Sequence, residues 1–533
     1  MPSESTFNRT TIAFFCVLQL FAAKILLERL QDVGLIEVPE WVPFLAARTN
    51  CGHLDEYEYV IVSRNVVTPD GISHAAVQIK DGLIAAVKAI NGDASRANLT
   101  HAAFLLTGLT KILDYGDLVV SPGLIDTHVH MNQPGRSYWE GMETATNAAA
   151  AGGITTVIDM PLNSDPTTTT VELLQKKISA TRGEIRVDVG MWGGLVADNA
   201  GDHSVLQGML DAGALGFKSF MVPSGIDDFP YVNETHIKAA LPFLKSAGVP
   251  YYVHAELKPS DDSPGECSGD EANPRMHASW LASRPPSMEN NAIKLLISAL
   301  KADKTEAKPG FRIHIAHLAD AGSMADIQAA KKKGLPISVE TCPHYLNFAS
   351  EDVPEGATQY KCAPPLRPQA NQEKLWQFVT DGRIDSVATD HSPSPEEMKH
   401  LEEGDFSKAW GGISGLQYGL PGTWNGLKKR GAGPELLTKL WSSFPAELAG
   451  LQAKKGALKA GLDADIVVWD PEALADTSIE SLQHRHKLSP YTGLPLHGRV
   501  AATFVRGHQV FSASAKKPVS PNVCGKPVLK HQL

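Results

Sequence analysis

The chain has 533 residues, 43% of them hydrophobic and 20% charged, with a net charge of −10. That composition supports a large buried core and argues against disorder, and the acidic balance argues against nucleic acid or an anionic membrane as partner. Six widely scattered cysteines without a CxxC pair argue against a disulfide framework or a thiolate zinc site, and fit a reducing, cytoplasmic compartment.

In chain order, residues 12–23 come first and read IAFFCVLQLFAA. So short a run does not span a bilayer, which takes about 20 apolar residues, although it has the length of a signal-peptide core. Only Arg9 and Glu4 flank it on the N-terminal side, so the favoured reading is a helix in an N-terminal extension over 1–55, and a targeting or anchor segment is the other. Residues 57–119 then look β-like, in short runs such as YVIVSRNVVTP, AAVQI and LIAAVKA, with Pro69-Asp70-Gly71 as a turn. Near the other end, DADIVVWD (463–470) and RVAATFVRGHQV (499–510) return to the same pattern. Because chain ends usually lie close together, 56–120 and 456–515 are expected to form one small β-sandwich, followed by a tail over 516–533.

Between them the pattern changes. Apolar runs at 118–126, 155–160, 186–191, 214–220, 250–254, 312–317, 336–340 and 384–390 alternate with helix-compatible segments. This α/β alternation is the sequence form of a (β/α)₈ barrel over 121–455, with 257–275, rich in Asp, Ser, Pro and Gly, as a long loop after the fifth strand.

Barrel enzymes place their chemistry at the C-terminal ends of the strands. The first run ends in Asp126-Thr127-His128-Val129-His130. Residues two apart on a strand share a face, so both imidazoles can grip one divalent metal. The fifth run ends at His254, the sixth at His317, and the eighth at Asp390, followed by His391. The fourth carries Lys218 inside an apolar strand. Burial beside cations disfavours its ammonium form, and a neutral amine reacts with carbon dioxide to give a carbamate with one oxygen for each of two metals.

These positions resemble the signature of the cyclic amidohydrolases: dihydroorotases, hydantoinases or dihydropyrimidinases, and allantoinases. SPGLIDTHVHMNQPGRSYWEG, GGITTVIDMPLNSDPTTT, GFKSFMVPSGIDDFP, VETCPHYL, YKCAPPLR, TDHSPSPEEMK, AWGGISGLQ and RHKLSPYTG are similar to the allantoinase branch, and the resemblance runs over 57–510. It implies hydrolysis of the cyclic amide of allantoin to allantoate by a hydroxide bridging two zinc ions. It also implies His128, His130, carboxylated Lys218, His254, His317 and Asp390 as ligands, with Asp390 as proton shuttle, Ala363 contacting substrate through its backbone, and a homotetramer.

Within the family, dihydroorotases carry Arg where this chain has Asn132, and hydantoinases carry Tyr where it has Pro223, followed by Ser224-Gly225. Gln133 stands where relatives often have Glu. His314 faces away from the ligands by strand alternation, and His344 and His391 are expected to be supporting residues. The competing readings are a hydantoinase or dihydropyrimidinase, and a non-catalytic dihydropyrimidinase-like assembly protein. Such assembly proteins typically lack several ligands, whereas all six are present here.

Overall fold

The computed structural model describes residue 51 and residues 58–90, 96–258 and 273–532. The apolar run at 12–23, nearly all of the 1–55 extension and most of the 257–275 loop lie outside the described residues. The elements below belong to one compact unit, His53–Leu533.

Both ends of that unit build one mixed sheet. β1 (Glu58–Thr68), β2 (Gly71–Lys80) and β3 (Leu83–Ala89) form an antiparallel meander, while β4 (Ile112–Asp114) and β5 (Val119–Pro122) pair in parallel with β1. β15 (Ile466–Leu474), β16 (His497–Val505) and β17 (His508–Ser512) follow from the far side of the sequence, joined where β15 runs antiparallel to β5. Alternation along β1 divides its side chains. Tyr59 and Ile61 enter a cluster with Val468 and Phe504, whereas Val60 and Val62 meet Leu99 and Ala103 on the other face.

The small domain's strands, from both ends of the unit, join in one eight-stranded sheet. It doubles over so that β1 and β16 share a core, and Tyr59 Oη donates to Gly507 O at 2.6 Å. One expectation changes here: the β-like stretch 57–119 also contains a helix, Arg96–Thr107, whose Leu99 and Ala103 lie four residues apart on one buried face. Short apolar runs do not separate helix from strand by pattern alone.

The middle of the chain forms parallel sheets. β6 (Leu124–Val129), β7 (Ile154–Asp159) and β8 (Asp188–Met191) make one. β9 (Gly193–Gly194), β10 (Phe217–Phe220), β11 (Pro250–His254), β12 (Arg312–Ile315), β13 (Ile337–Thr341) and β14 (Ser386–Val387) make the other. β8 and β9, one in each sheet, are separated in the chain by Trp192 alone. On the opposite side His391 bridges Val129 in parallel, and the His130 amide donates to its carbonyl at 2.8 Å. Every predicted strand run is present, but 118–126 is two strands in different sheets, β5 and the start of β6. Gly123 stands between them, where a Cβ would lie 2.2 Å from Thr155 Oγ1. Inside, Ile125, Ile158, Trp192 and Tyr252 pack as one apolar layer below the strand ends.

The segment expected to be a tail is bonded to the α/β body. Val189 N donates to Lys526 O at 3.0 Å and Val528 N to Val189 O at 2.8 Å. A buried charge cluster fastens the same region. Lys455 Nζ lies 2.8 Å from Asp188 Oδ2 and 2.9 Å from Asp463 Oδ2 and also meets Asp465, while Arg506 donates to Asp188 and the Lys526 amide donates to Asp188 Oδ1 at 2.9 Å. No helix among the described residues is long and apolar enough to cross a membrane.

Replacing the cation of this cluster leaves three carboxylates facing one Arg. Lys455→Met is expected to cost about 3–5 kcal/mol, the usual penalty for breaking a buried pair, read as a lower denaturant midpoint. Burial alone would raise the Asp188 carboxyl, but Arg506 and Lys455 outweigh it and hold it at about 2. Its stabilising contribution is therefore complete above the unfolded value near 4 and is lost as pH falls toward 2, so the denaturant midpoint of the parent chain should drop over that interval.

Candidate metal centre and active site

The ends of the parallel strands converge on a cavity of about 90 Å³. His128 from β6, His130 just past it, His254 closing β11, His317 after β12 and Asp390 after β14 all line it, as does Ala363. Asp390 Oδ1 stands 3.3 Å from His128 Nε2 and 3.4 Å from His130 Nε2. The rings of His128 and His317 are 5.2 Å apart, and those of His254 and His317 are 4.6 Å apart. Donor atoms of His128, His317 and Asp390 lie within 4.8 Å of one another, a group suited to a metal ion.

Lys218 is fully buried on β10, with Nζ 5.2 Å from the Phe220 ring and 5.9 Å from the Tyr252 ring. Its Nζ has no hydrogen-bond partner among the described residues. His317 Nδ1 is likewise buried without a partner. A buried polar atom left unpaired is costly, so these two orphaned nitrogens mark a place built around something more than the side chains.

Electrostatics favour neutral nitrogen donors. Burial lowers the Lys218 amine to about 8 despite the opposing pull of Asp390 and Glu340. Burial also lowers His254 to about 4 and takes His317 well below the ordinary value. For His128, burial and then Lys218 lower the imidazole against Asp390 and Glu340. Burial would raise Asp390, but His128 and His130 outweigh it and hold the carboxyl at about 2. Neutral imidazoles beside an ionised carboxylate are the forms that bind metal.

Two carboxylates the sequence reading did not single out orient these rings. Glu340, closing the run 336–340, accepts from His128 Nδ1 at 2.6 Å, Tyr252 Oη at 3.1 Å, His314 Nε2 at 3.2 Å and the His317 amide at 3.3 Å. Glu256, two residues past His254, takes His254 Nε2 at 2.6 Å and is paired with Arg284. Each bond assigns the proton to the nitrogen facing the carboxylate and leaves the other ring nitrogen for the cavity. No spacing in VETCPHYL marked Glu340 for this role.

The remaining candidates fall into place. His314 bonds Ser338 and Glu340 rather than the cavity, as alternation implied. His344 and His391 are buried and do not line the cavity. Gln133 faces helix Met142–Ala151, where its Oε1 accepts the Met142 amide at 2.9 Å, so the Glu-to-Gln departure lies outside the cavity lining. Asn132, Asn163, His317 and Asp390 all take left-handed backbone, with φ of 63°, 66°, 37° and 46°. Each such residue costs about 1–3 kcal/mol and persists only where its surroundings over-determine it. The far wall is Trp410-Gly411-Gly412, held by Lys399 Nζ on the carbonyls of Gly412 at 2.6 Å and Trp410 at 3.1 Å. Gly412, at φ 144°, lies so close to Ser392 that a Cβ would stand 2.2 Å from its carbonyl oxygen.

Comparison with known proteins agrees with this geometry. Residues 119–267 and 288–510 match the amidohydrolase family model, and 54–117 match the allantoinase composite domain. Allantoinase from Arabidopsis thaliana is 47% identical over 472 residues, covering 88% of this chain and 90% of the relative. A probable allantoinase from Oryza sativa subsp. japonica is 46% identical, covering 90% and 92%. Among solved structures, L-hydantoinase (dihydropyrimidinase) from Arthrobacter aurescens has a TM-score of 0.78 at 29% identity, covering 89% of this chain and all of that one. With an α/β metal-site scaffold, a small β domain and relatives this similar along most of its length, the chain belongs to the amidohydrolase family, on its allantoinase branch.

Proposed function

We propose that this chain is an allantoinase, a hydrolase that opens the hydantoin ring of allantoin at its cyclic amide and releases allantoate. The observation that carries the chemistry is Lys218, a buried amine without an acceptor beside three His and an Asp. The substrate choice is supported by the allantoinases at 46–47% identity.

The residues present fit a pair of zinc ions. His128, His130, His254, His317, Asp390 and carboxylated Lys218 would hold them, the lysine by adding its neutral amine to carbon dioxide with loss of one proton. When bound, two such ions supply Lewis acidity at the ring carbonyl and lower the pKa of a nearby water toward about 7. The chain supplies the rest. Asp390, ionised and facing His128 and His130 across the cavity, takes the proton of the attacking water and delivers it to the leaving ring nitrogen as the C–N bond breaks. Glu340 and Glu256 fix the imidazole tautomers throughout. Phe220, Leu162 and Trp410 line the cavity with apolar surface, which limits the water around the reacting carbonyl. Ala363 is positioned to offer backbone groups to the ring.

The same reading includes closure of the two parallel sheets into a (β/α)₈ barrel over 121–455, supported by the short β8–β9 connection at one seam and the Val129–His391 bridge at the other. It also includes the small β domain over 56–120 and 456–515, and a homotetramer in line with the family.

Three measurements test it. Assayed side by side, allantoin should be opened with a kcat/KM well above those for hydantoin, dihydrouracil and dihydroorotate; a preference for dihydrouracil makes the chain a dihydropyrimidinase instead. Lys218→Ala should lose most of its zinc and turnover, with partial recovery when short carboxylic acids are added; full zinc and parent turnover remove Lys218 from the centre. Asp390→Asn keeps the shape and one oxygen donor but cannot take a proton. Its kcat should fall at least about a hundredfold, within the usual contribution of general acid–base catalysis, while zinc is retained and KM changes far less.

A further inference from the structure

The left-handed backbone at Asp390 needs something to hold it, and the neighbouring residue is where the structure supplies it. His391 is fully buried, and its backbone bridges Val129 on one side and Ile413 on the other. Its imidazole is fixed at both nitrogens. Nδ1 accepts the amides of Gly415 at 3.2 Å and Leu416 at 3.4 Å, which assigns the ring proton to Nε2. Nε2 faces Glu140 Oε2 at 3.4 Å.

Glu140 is itself fully buried and immobilised. Its second carboxylate oxygen accepts the Arg485 amide at 3.1 Å, and the exposed Arg485 guanidinium donates to the Glu140 carbonyl. The His484 ring closes the other flank, with its centroid 5.7 Å from that of His391. The segment RHKLSPYTG, which contributes no residue to the cavity lining, therefore reaches the residue next to Asp390 through one carboxylate. Neither Glu140 nor Arg485 lines the cavity.

We propose that Glu140 and Arg485 are positioning residues for the reaction, acting through His391 to hold the Asp390 carboxylate at the angle from which it moves a proton. This rests on the reading of Asp390 as proton shuttle. The coupling is mechanical: a chain of directed hydrogen bonds runs from Arg485 to Glu140 to His391, and the His391 carbonyl also fixes His130. Loosening it leaves His128, His254, His317 and Lys218 in place to hold the ions but lets the Asp390 oxygen wander from the reacting nitrogen, which costs turnover rather than binding.

The test uses the zinc-loaded enzyme on allantoin, with zinc content and melting temperature, and hydrogen–deuterium exchange on the metal-free protein. Glu140→Gln keeps an acceptor for His391 Nε2–H while setting its NH2 against the Arg485 amide, so it should lose clearly less kcat than Glu140→Met, which should lose at least about tenfold. The Met variant should keep its zinc, with KM changed by less than about threefold. Amides of His130, Gly415 and Leu416 should exchange faster in it, because their acceptors on His391 are freed to move. If Glu140→Met does not fold, Arg485→Gln, which removes the guanidinium bond to the Glu140 carbonyl and keeps the amide bond to its carboxylate, tests the Arg485 end of the chain, with kcat expected to fall about threefold or more at unchanged zinc.

Parent kcat with unchanged exchange in the Met variant, or in Arg485→Gln where it stands in, overturns the proposal. So does an equal loss in Glu140→Gln, or a loss of zinc in step with kcat, since the role is then structural. An active Asp390→Asn overturns the shuttle reading itself, while an inactive Asp390→Asn beside a fully active Glu140→Met overturns only this inference.

Discussion

An amine sealed inside a protein without an acceptor is the constraint from which the rest of this site follows. Lys218 is fully buried on its strand with no hydrogen-bond acceptor for Nζ among the described residues, and the pull of Asp390 and Glu340 does not offset the burial of its ammonium form. The amine is lowered to about 8, and a nucleophilic nitrogen becomes available close to neutral pH. Moving Lys218 one position along β10 would turn it to the opposite face of the sheet and leave four imidazoles and Asp390 without it. The apolar layer of Ile125, Ile158, Trp192 and Tyr252 keeps the lysine from finding another partner below.

Around that lysine the organisation is one of paired roles. Three of the four imidazoles that line the cavity spend one nitrogen on a fixed acceptor: Glu340 for His128, Glu256 for His254, and the Leu162 carbonyl for His130, at 3.4 Å. Glu340 serves four donors at once, and its carboxyl is held below the usual range because the His128 and His314 contacts outweigh its burial. Rigid acceptors of this kind let strained backbone at Asn132, Asn163, His317 and Asp390 persist, since the bonds around each residue leave it no relaxed alternative.

Much of this was legible in the sequence because barrel chemistry sits at strand ends. His128, His130, His254, His317 and Asp390 each close or follow an apolar run, and a polar residue there has few other reasons to exist. Lys218 was legible for the opposite reason, as a charge in the middle of such a run. Glu340 and Glu256 were not assigned roles, because a carboxylate that orients a ring leaves no spacing signature distinct from a surface Glu until the partner ring is seen. The break at Gly123 was invisible because β5 and β6 both lie in one apolar run, and only their pairing in different sheets separates them. The helix Arg96–Thr107 was lost among β-like runs for want of length. The segment around 525–530 carries no pattern of its own, since its bonds to Val189 and Gly213 are made by backbone groups.

The junction of β5 with β15 has a bearing on how the chain is made. In the small sheet, Val120 and Val468 are direct partners, and the core beneath them takes Tyr59 and Ile61 from one arm and Phe504 from the other. A ribosome releasing about 5–20 residues per second needs roughly 20–70 s to deliver the roughly 340 residues that separate these strands. Through that interval the β1–β5 arm waits with one edge and one apolar face uncovered, while the parallel strands after it are already emerging. Assembly of this sheet is therefore a late event in synthesis, and the waiting arm is the stretch on which a holdase chaperone has the most to protect.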